Sequence, residues 1–287
     1  MKKLLLFLVL SGWALRGFAQ TNPTRWQQHA DSIFQHIDRS QVSTGILTNY
    51  GFALKDYNQF QGTALTTANR LRSLDEWRLL YAALQTSVFN PNATLPTLLL
   101  ANERIEQAQQ NTAVVSIATL LARYDRFRDD AGTTGLVTVS NRQLYDAPGR
   151  PRSPYQQRTL VALCPLQAVL ATRTPQFSIP ATLRFTNAAP TITSLEFDAG
   201  DGQGYRFVGK GQTIGASYAA NGSYTLRFRL TCADGTVLLS QADIEVQQPD
   251  ANAARYNSNA ITQHSSALFT DTRAYNGAVA GGKVTVA

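Results

Sequence analysis

Thiols, imidazoles and long apolar runs are all scarce in this sequence. Two cysteines and three histidines are spread over 287 residues, and no spacing among them builds the ligand set that holds a zinc ion tetrahedrally. The two thiols, Cys164 and Cys232, suit a chain with little use for thiol chemistry. In an oxidising compartment they are free to pair. Bridge geometry is strict, however, and a buried unpaired cysteine behaves as a small hydrophobe, so independent thiols are the expectation and pairing stays open. Basic runs are missing too. Lys and Arg number 26 against 19 Asp and Glu, a formal net charge of +7, but the excess is mostly arginine placed singly along the chain. That pattern argues against tracking a nucleic-acid backbone and reads as a mildly basic surface. A hydrophobic fraction of 44% excludes wholesale disorder.

The one marked apolar run is at the start. Lys2-Lys3 precedes Leu4 to Leu10, and Gly17-Phe18-Ala19 stands ahead of Gln20. A positive patch, a short apolar core and a small-residue cleavage pattern predict a secretory signal peptide over residues 1–19. The run is well short of the roughly 20 residues that span a bilayer. Arg16 interrupts the apolar character after it, and no lipid-accepting cysteine comes after the small residues. A secreted or cell-surface product is expected, with no transmembrane anchor once the peptide is removed.

The remainder is longer than one small domain needs, so two or three compact units are expected. Residues 20–132 read as a mainly helical domain. Trp26, Ala30, Ile33, Phe34 and Ile37 make one apolar stripe over 24–40. Ser73-Leu74-Asp75-Glu76 has the form of a capping box, Trp77, Leu80, Tyr81, Leu84 and Val88 continue it as a stripe, and Asn90-Pro91 stops it. A further helix is expected from Pro96, a favourable first-turn residue, to Gln110. The stretch from Ser43 to Gln61 reads as a well-packed loop. Val114 to Leu121 is a strand or a buried helix, and periodicity alone does not decide between them.

Beyond Asp129-Asp130-Ala131-Gly132 the character changes. Over 133–159, Leu136–Val139 and Gln143–Tyr145 read as short strands, followed by a proline-punctuated connection from Pro148 to Pro154. From 160 to 248 the pattern is β. Thr159–Leu163 and Ala181–Phe185 read as strands, and Pro165, Pro175, Pro180 and Pro190 suit turns and strand ends. Tyr224, Leu226, Phe228, Leu230 and Cys232 alternate with Thr225, Arg227, Arg229 and Thr231, the mark of a strand with one buried and one wet face. Asp234-Gly235 then turns the chain back into 236–239. Residues 249–287 read as a linker, rich in Asn, Ala and Ser over 251–262, and the chain stops within an alternating pattern at 281–286, as a truncated segment would.

Catalytic, cofactor-binding and metal-ligating constellations are absent from the spacing, and no cofactor is expected. Gly215-Ala216-Ser217-Tyr218-Ala219 departs from G-x-S-x-G at its last residue and leads into a strand, whereas a nucleophile elbow needs a helix after its serine. His29 and His36 lie seven apart without a third ligand and read as helix surface. His264 sits alone in a polar stretch. Asp198 and Asp201 lack the further oxygen ligands that calcium requires. Gly200, Gly202 and Gly204 are spaced G-x-G-x-G with no helix after them, which suits hairpin geometry and not a dinucleotide phosphate.

Two motifs carry a family resemblance. Phe197-Asp198-Ala199-Gly200-Asp201-Gly202 stands where PKD domains have W-D-F-G-D-G, with Phe197 for Trp and Ala199 for Phe. Ser217-Tyr218 followed by Gly222-Ser223-Tyr224-Thr225-Leu226 stands where they have a tyrosine, a short turn and G-T-Y-T-V. Residues 160–248 thus resemble the PKD domain, an immunoglobulin-like β-sandwich common in secreted and surface proteins, and the resemblance implies that Asp201-Gly202 is a turn tying the sandwich together. Farther upstream, Val42-Ser43-Thr44-Gly45-Ile46-Leu47 and Leu144-Tyr145-Asp146-Ala147-Pro148-Gly149-Arg150 look like the leader region of large multidomain proteins exported by type IX-secreting bacteria.

The expected fold is therefore α+β in two domains: a mostly helical N-terminal domain, then an all-β immunoglobulin-like (PKD-like) sandwich. The expected function is that of an exported non-catalytic protein, or the N-terminal part of one. Its PKD-like module would act as a spacer or bind a polysaccharide or a surface protein, with no nucleic-acid partner. The alternative is the accessory region of an exported hydrolase whose catalytic domain lies beyond residue 287. The step from family to function is analogy.

Overall fold

A computed structural model describes residues 25–52, 54–90, 95–111, 113–187 and 191–249. The signal-peptide segment 1–19, Pro91, Pro190, the stretch 251–262, His264 and the alternating pattern at 281–286 lie outside the described residues. In chain order the elements are α1 (Arg25–Phe34), β1 (Arg70–Leu71), α2 (Leu74–Thr86), α3 (Leu98–Gln109), β2 (Val115–Phe127), β3 (Val137–Ser140), β4 (Gln143–Asp146), β5 (Tyr155–Pro165), β6 (Val169–Leu170), β7 (Gln176–Ser178), β8 (Arg184–Thr186), β9 (Ile192–Asp198), β10 (Arg206–Phe207), β11 (Thr213–Gly215), β12 (Gly222–Cys232) and β13 (Val237–Val246). The chain divides into two compact units, Met1–Gln41 with Phe127–Gln156 and Val42–Arg126 with Gln157–Ala287. No helix among the described residues is long and apolar enough to cross a membrane.

In the smaller unit, α1 ends at Phe34 although its apolar stripe continues to Ile37. The Asp38 carboxylate accepts from the Ser40 backbone N–H at 2.9 Å and from its hydroxyl at 2.7 Å. This local bonding offers the backbone an alternative to the helix. Phe34 stacks on Phe127, and Phe127 on Tyr155, with ring centroids 6.2 and 5.5 Å apart. β3 and β4 form a two-stranded antiparallel hairpin. Its turn residues Asn141 and Arg142 both have positive φ, 50° and 63°, the backbone twist that two-residue hairpins favour.

The larger unit is layered, helices on sheet on sheet. One sheet runs β1-β13-β12-β9-β10, with β6 also on β13; the other runs β11-β7-β2-β5, with β8 also on β2. Both are mixed: β1 and β6 pair parallel with β13, and β7 and β8 pair parallel with β2. The two sheets share an apolar core that includes Ile117, Leu121, Leu163, Phe177, Leu226 and Leu230. Phe197 lies at its centre, edge-on to Phe177 at 5.2 Å and stacked on Phe228 at 5.1 Å. On β12 the alternation read from sequence holds: Leu226, Phe228, Leu230 and Cys232 are buried, and the residues between them are half-buried.

The separate helical domain followed by an all-β sandwich is not what forms. Strands outweigh helices among the described residues, the sheets are mixed, and among those residues the α-helices are three and short. The decisive element is β2, drawn from the stretch that sequence left between strand and buried helix. Its Val115, Ile117 and Leu121 face the core between the sheets. Its Ala118, Leu120, Ala122 and Tyr124 join a second core with α2 and α3. A strand covered on both faces has no wet side to write into its sequence, so it reads as one continuous apolar run.

The helices are therefore a layer over the sheet. Trp77 of α2 donates from Nε1 to the Ala162 carbonyl of β5 at 3.1 Å, and Trp77 and Tyr81 both pack on Phe185 of β8, 5.2 and 5.3 Å between centroids. The N-terminus of α2 is capped as its sequence implies, Ser73 Oγ accepting from the Glu76 N–H at 3.3 Å. Glu76 reaches back one residue farther than a capping box requires, to the Arg72 N–H at 3.1 Å. The loop Ser43–Gln61 packs as expected, with Ile46, Leu47, Tyr57 and Phe60 buried.

Candidate functional site

The residues singled out from sequence occupy structural posts. In the turn after β9, Asp198 Oδ1 accepts the Gly200 N–H at 2.8 Å. Gly200 has φ +71°, and a Cβ there would stand 2.7 Å from the Thr225 carbonyl oxygen, so only glycine fits. The Asp201 side chain is 0% exposed and salt-bridged to Arg206 at 3.2 Å. It also accepts from the Ser217 and Gln203 N–H groups at 3.4 and 3.3 Å. Tyr218 donates its hydroxyl to the Ala199 carbonyl at 2.7 Å, so the two sequence motifs meet at one buried hydrogen bond. Burial, with Asp201 nearby, pushes the Tyr218 hydroxyl pKa well above its usual range. Ser217 is an exposed turn residue before β12. His29 is exposed, and His36 stacks on Tyr145 at 4.2 Å. No group of three or more His, Cys, Asp or Glu that could hold a metal occurs among the described residues. Cys164 and Cys232 are free and buried, the first in the core beneath the helices and the second in the core between the sheets.

Asp125 escaped notice in the sequence. It is 3% exposed and clamps the loop opposite β2, accepting from the Thr44 N–H at 3.0 Å and the Thr44 hydroxyl at 2.9 Å. Thr44 lies in the Val42–Leu47 motif, so that motif serves here to fasten a loop to a strand.

Two surface regions remain. The open face of β9 and β12 carries arginines that are already matched: Arg227 to Asp198 and Arg229 to Glu196, each at 3.3 Å. Arg229 also lies 4.1 Å over the Tyr205 ring. The second region is a trough of ≈ 490 Å³ whose walls include Thr182, Arg184, Thr193, Ser194, Phe207 and Lys210. A neighbouring hollow of ≈ 610 Å³ is lined by Arg104, Gln107, Ala108, Ala181 and Thr182. Ala181 and Thr182 line both hollows, so the two adjoin at the turn Ala181–Leu183. Phe207 is 62% exposed. No carboxylate lines either hollow, and Arg104, Arg184 and Lys210 have no ion-pair partner among the described residues. These residues come from α3, β8 and the segment after β9, too far apart in sequence for any spacing rule. The local signal that existed was Phe207 standing beside Gly209-Lys210-Gly211, an exposed ring next to a lone cation on a turn.

No family model matches the chain, and no curated protein matches it significantly.

Proposed function

We propose that this chain is an exported, non-catalytic module that binds polysaccharide at the cell surface, with the trough beside β10 as its binding site. The observation that carries this is an exposed aromatic ring, Phe207, set among the hydroxyl-bearing residues Thr182, Thr193 and Ser194 in an open groove. A ring face takes the C–H face of a sugar, and side-chain hydroxyls both donate to and accept from sugar hydroxyls. Export is supported by the leader pattern of residues 1–19. A PKD-like reading of the later strands is supported by the turn at Gly200-Asp201 and its tie to Tyr218. The non-catalytic reading is supported by the structural duties of Asp201 and Tyr218 and by the isolation of Ser217 from any histidine in the sequence around it.

The test is to express the full chain and assay retention on a panel of insoluble polysaccharides beside turnover of esterase, protease and glycosidase substrates. Saturable retention that Phe207→Ala weakens, without turnover, is expected. Turnover abolished by Ser217→Ala would sink the reading. Mass spectrometry of the exported product should find its N-terminus at Gln20 or Thr21, and intact Met1 in a membrane fraction would refute cleavage.

A further inference from the structure

The trough differs from the neighbouring open face in how its cations are treated. On the open face Arg227 and Arg229 meet carboxylates, and at its edge Arg70 lies 3.7 Å from Asp243. In the trough Arg104, Arg184 and Lys210 line a continuous pair of hollows with no carboxylate in the walls. The acidic residues nearest in sequence, Glu103 and Glu106 of α3, are not among the lining. Cations of one sign along an apolar groove focus a positive potential into it, and an anionic ligand is drawn there.

Resting on the polysaccharide reading above, we propose that the ligand is a linear acidic glycan bearing uronate or sulfate groups. Its anionic groups lie on Arg104, Arg184 and Lys210, and a sugar ring lies on Phe207. The same charge would accept an acidic peptide, but the architecture favours a glycan. Peptides commonly bind sheet edges by adding a strand, which needs a row of free main-chain groups. The edge strand here, β10, is two residues long, too short to offer such a row.

The experiment titrates the full chain calorimetrically with polygalacturonate, chondroitin sulfate, neutral pullulan and poly-L-glutamate, at low and high ionic strength. Polygalacturonate, chondroitin sulfate or both should bind with saturation and weaken as salt screens the exposed cations. Polygalacturonate carries uronate alone and chondroitin sulfate carries both groups, so binding of both identifies uronate and binding of chondroitin sulfate alone identifies sulfate as the recognised group. Pullulan should bind at least about tenfold more weakly, and Arg184→Gln with Lys210→Gln should lower acidic-glycan affinity by about tenfold or more, the scale of one or two charge-assisted contacts. Both side chains are exposed, so the variant should melt like the parent. Arg227→Gln, on the matched face, should leave affinity unchanged. Equal binding of pullulan and polygalacturonate, indifferent to the double variant, would overturn the acidic-glycan proposal and leave polysaccharide binding standing. Poly-L-glutamate binding as tightly as the glycans would assign the trough to a peptide and overturn the proposal. Failure of every glycan to bind a chain that melts cooperatively would sink both readings.

Discussion

β2 and β12 are both long strands at the heart of the larger unit, and they are stabilised in opposite ways. Every side chain of β12 from Leu226 to Cys232 chooses between an apolar core and an aqueous face, and the wet positions carry arginines whose charges are matched across the sheet. β2 makes no such choice over Val115–Ala122, where all eight residues are buried. One face looks to the second sheet and the other to the helices. A strand with one dry face tolerates change at every second position, and a strand with two tolerates it nowhere.

The sharpest break of this comparison is Phe228→Asp. It places a carboxylate at a 0% exposed position stacked on Phe197, and the larger unit should lose its cooperative melt by circular dichroism. A variant that still melted cooperatively would mean that the buried face of β12 is misassigned.

Next in size are Leu120→Ala and Leu121→Ala, neighbours on β2 with side chains in different cores. Each should cost about 2–5 kcal/mol in urea unfolding. A large cost for one and less than about 1 kcal/mol for the other would show that one face of β2 is not truly covered.

Alkali should then load the core beneath the helices. Burial pushes Tyr57, Tyr81 and Tyr124, all in the core beneath the helices, up to about 12. These hydroxyls ionise near pH 10 in the unfolded chain and later in the folded one. Their stabilising contribution is intact below about pH 10 and is lost as pH rises toward about 12, by up to roughly 2 kcal/mol per ring. Tyr124 is the informative one, since its hydroxyl is buried without a hydrogen-bond partner among the described residues. Tyr124→Phe should be neutral or stabilising at pH 7 and should blunt the alkaline loss, as melts at pH 7 and 11 would reveal. A cost above about 1 kcal/mol at pH 7 would mean the hydroxyl is satisfied after all.

The smallest effect belongs to Arg227→Ala. Its partner Asp198 is reached across a partly wet face, and such pairs are worth about 0–1 kcal/mol. A larger loss would show that the open face of β12 is not open.

The same contrast explains what the sequence disclosed. β12 was legible because Thr225, Arg227, Arg229 and Thr231 mark a wet face, α2 because Ser73 caps it, and β3 and β4 as short strands, though not their pairing, because their patterns are local. β2 was not legible, since a two-faced strand and a buried helix leave the same apolar run. The short parallel pairings of β1 and β6 with β13 are two residues each and carry no periodicity. Without them the helical stretch looked like a domain of its own. Of the four residues proposed to hold the ligand in the trough, only Phe207 and Lys210 are close in sequence. Arg104 and Arg184 reach it through α3 and β8, and long-range assembly of that kind leaves no trace in spacing.

The separate cores also decide the fate of the two thiols. Cys164 points away from the sandwich, into the helix-covered face, while Cys232 points into it. Burial pushes both thiols up, away from the reactive thiolate. With a sheet between them, an oxidising medium has no route to an internal bridge while the molecule stays folded. Any thiol that reacts must come from a molecule that has opened, so the rate of alkylation serves as a clock for excursions from the native state, one hand for each core.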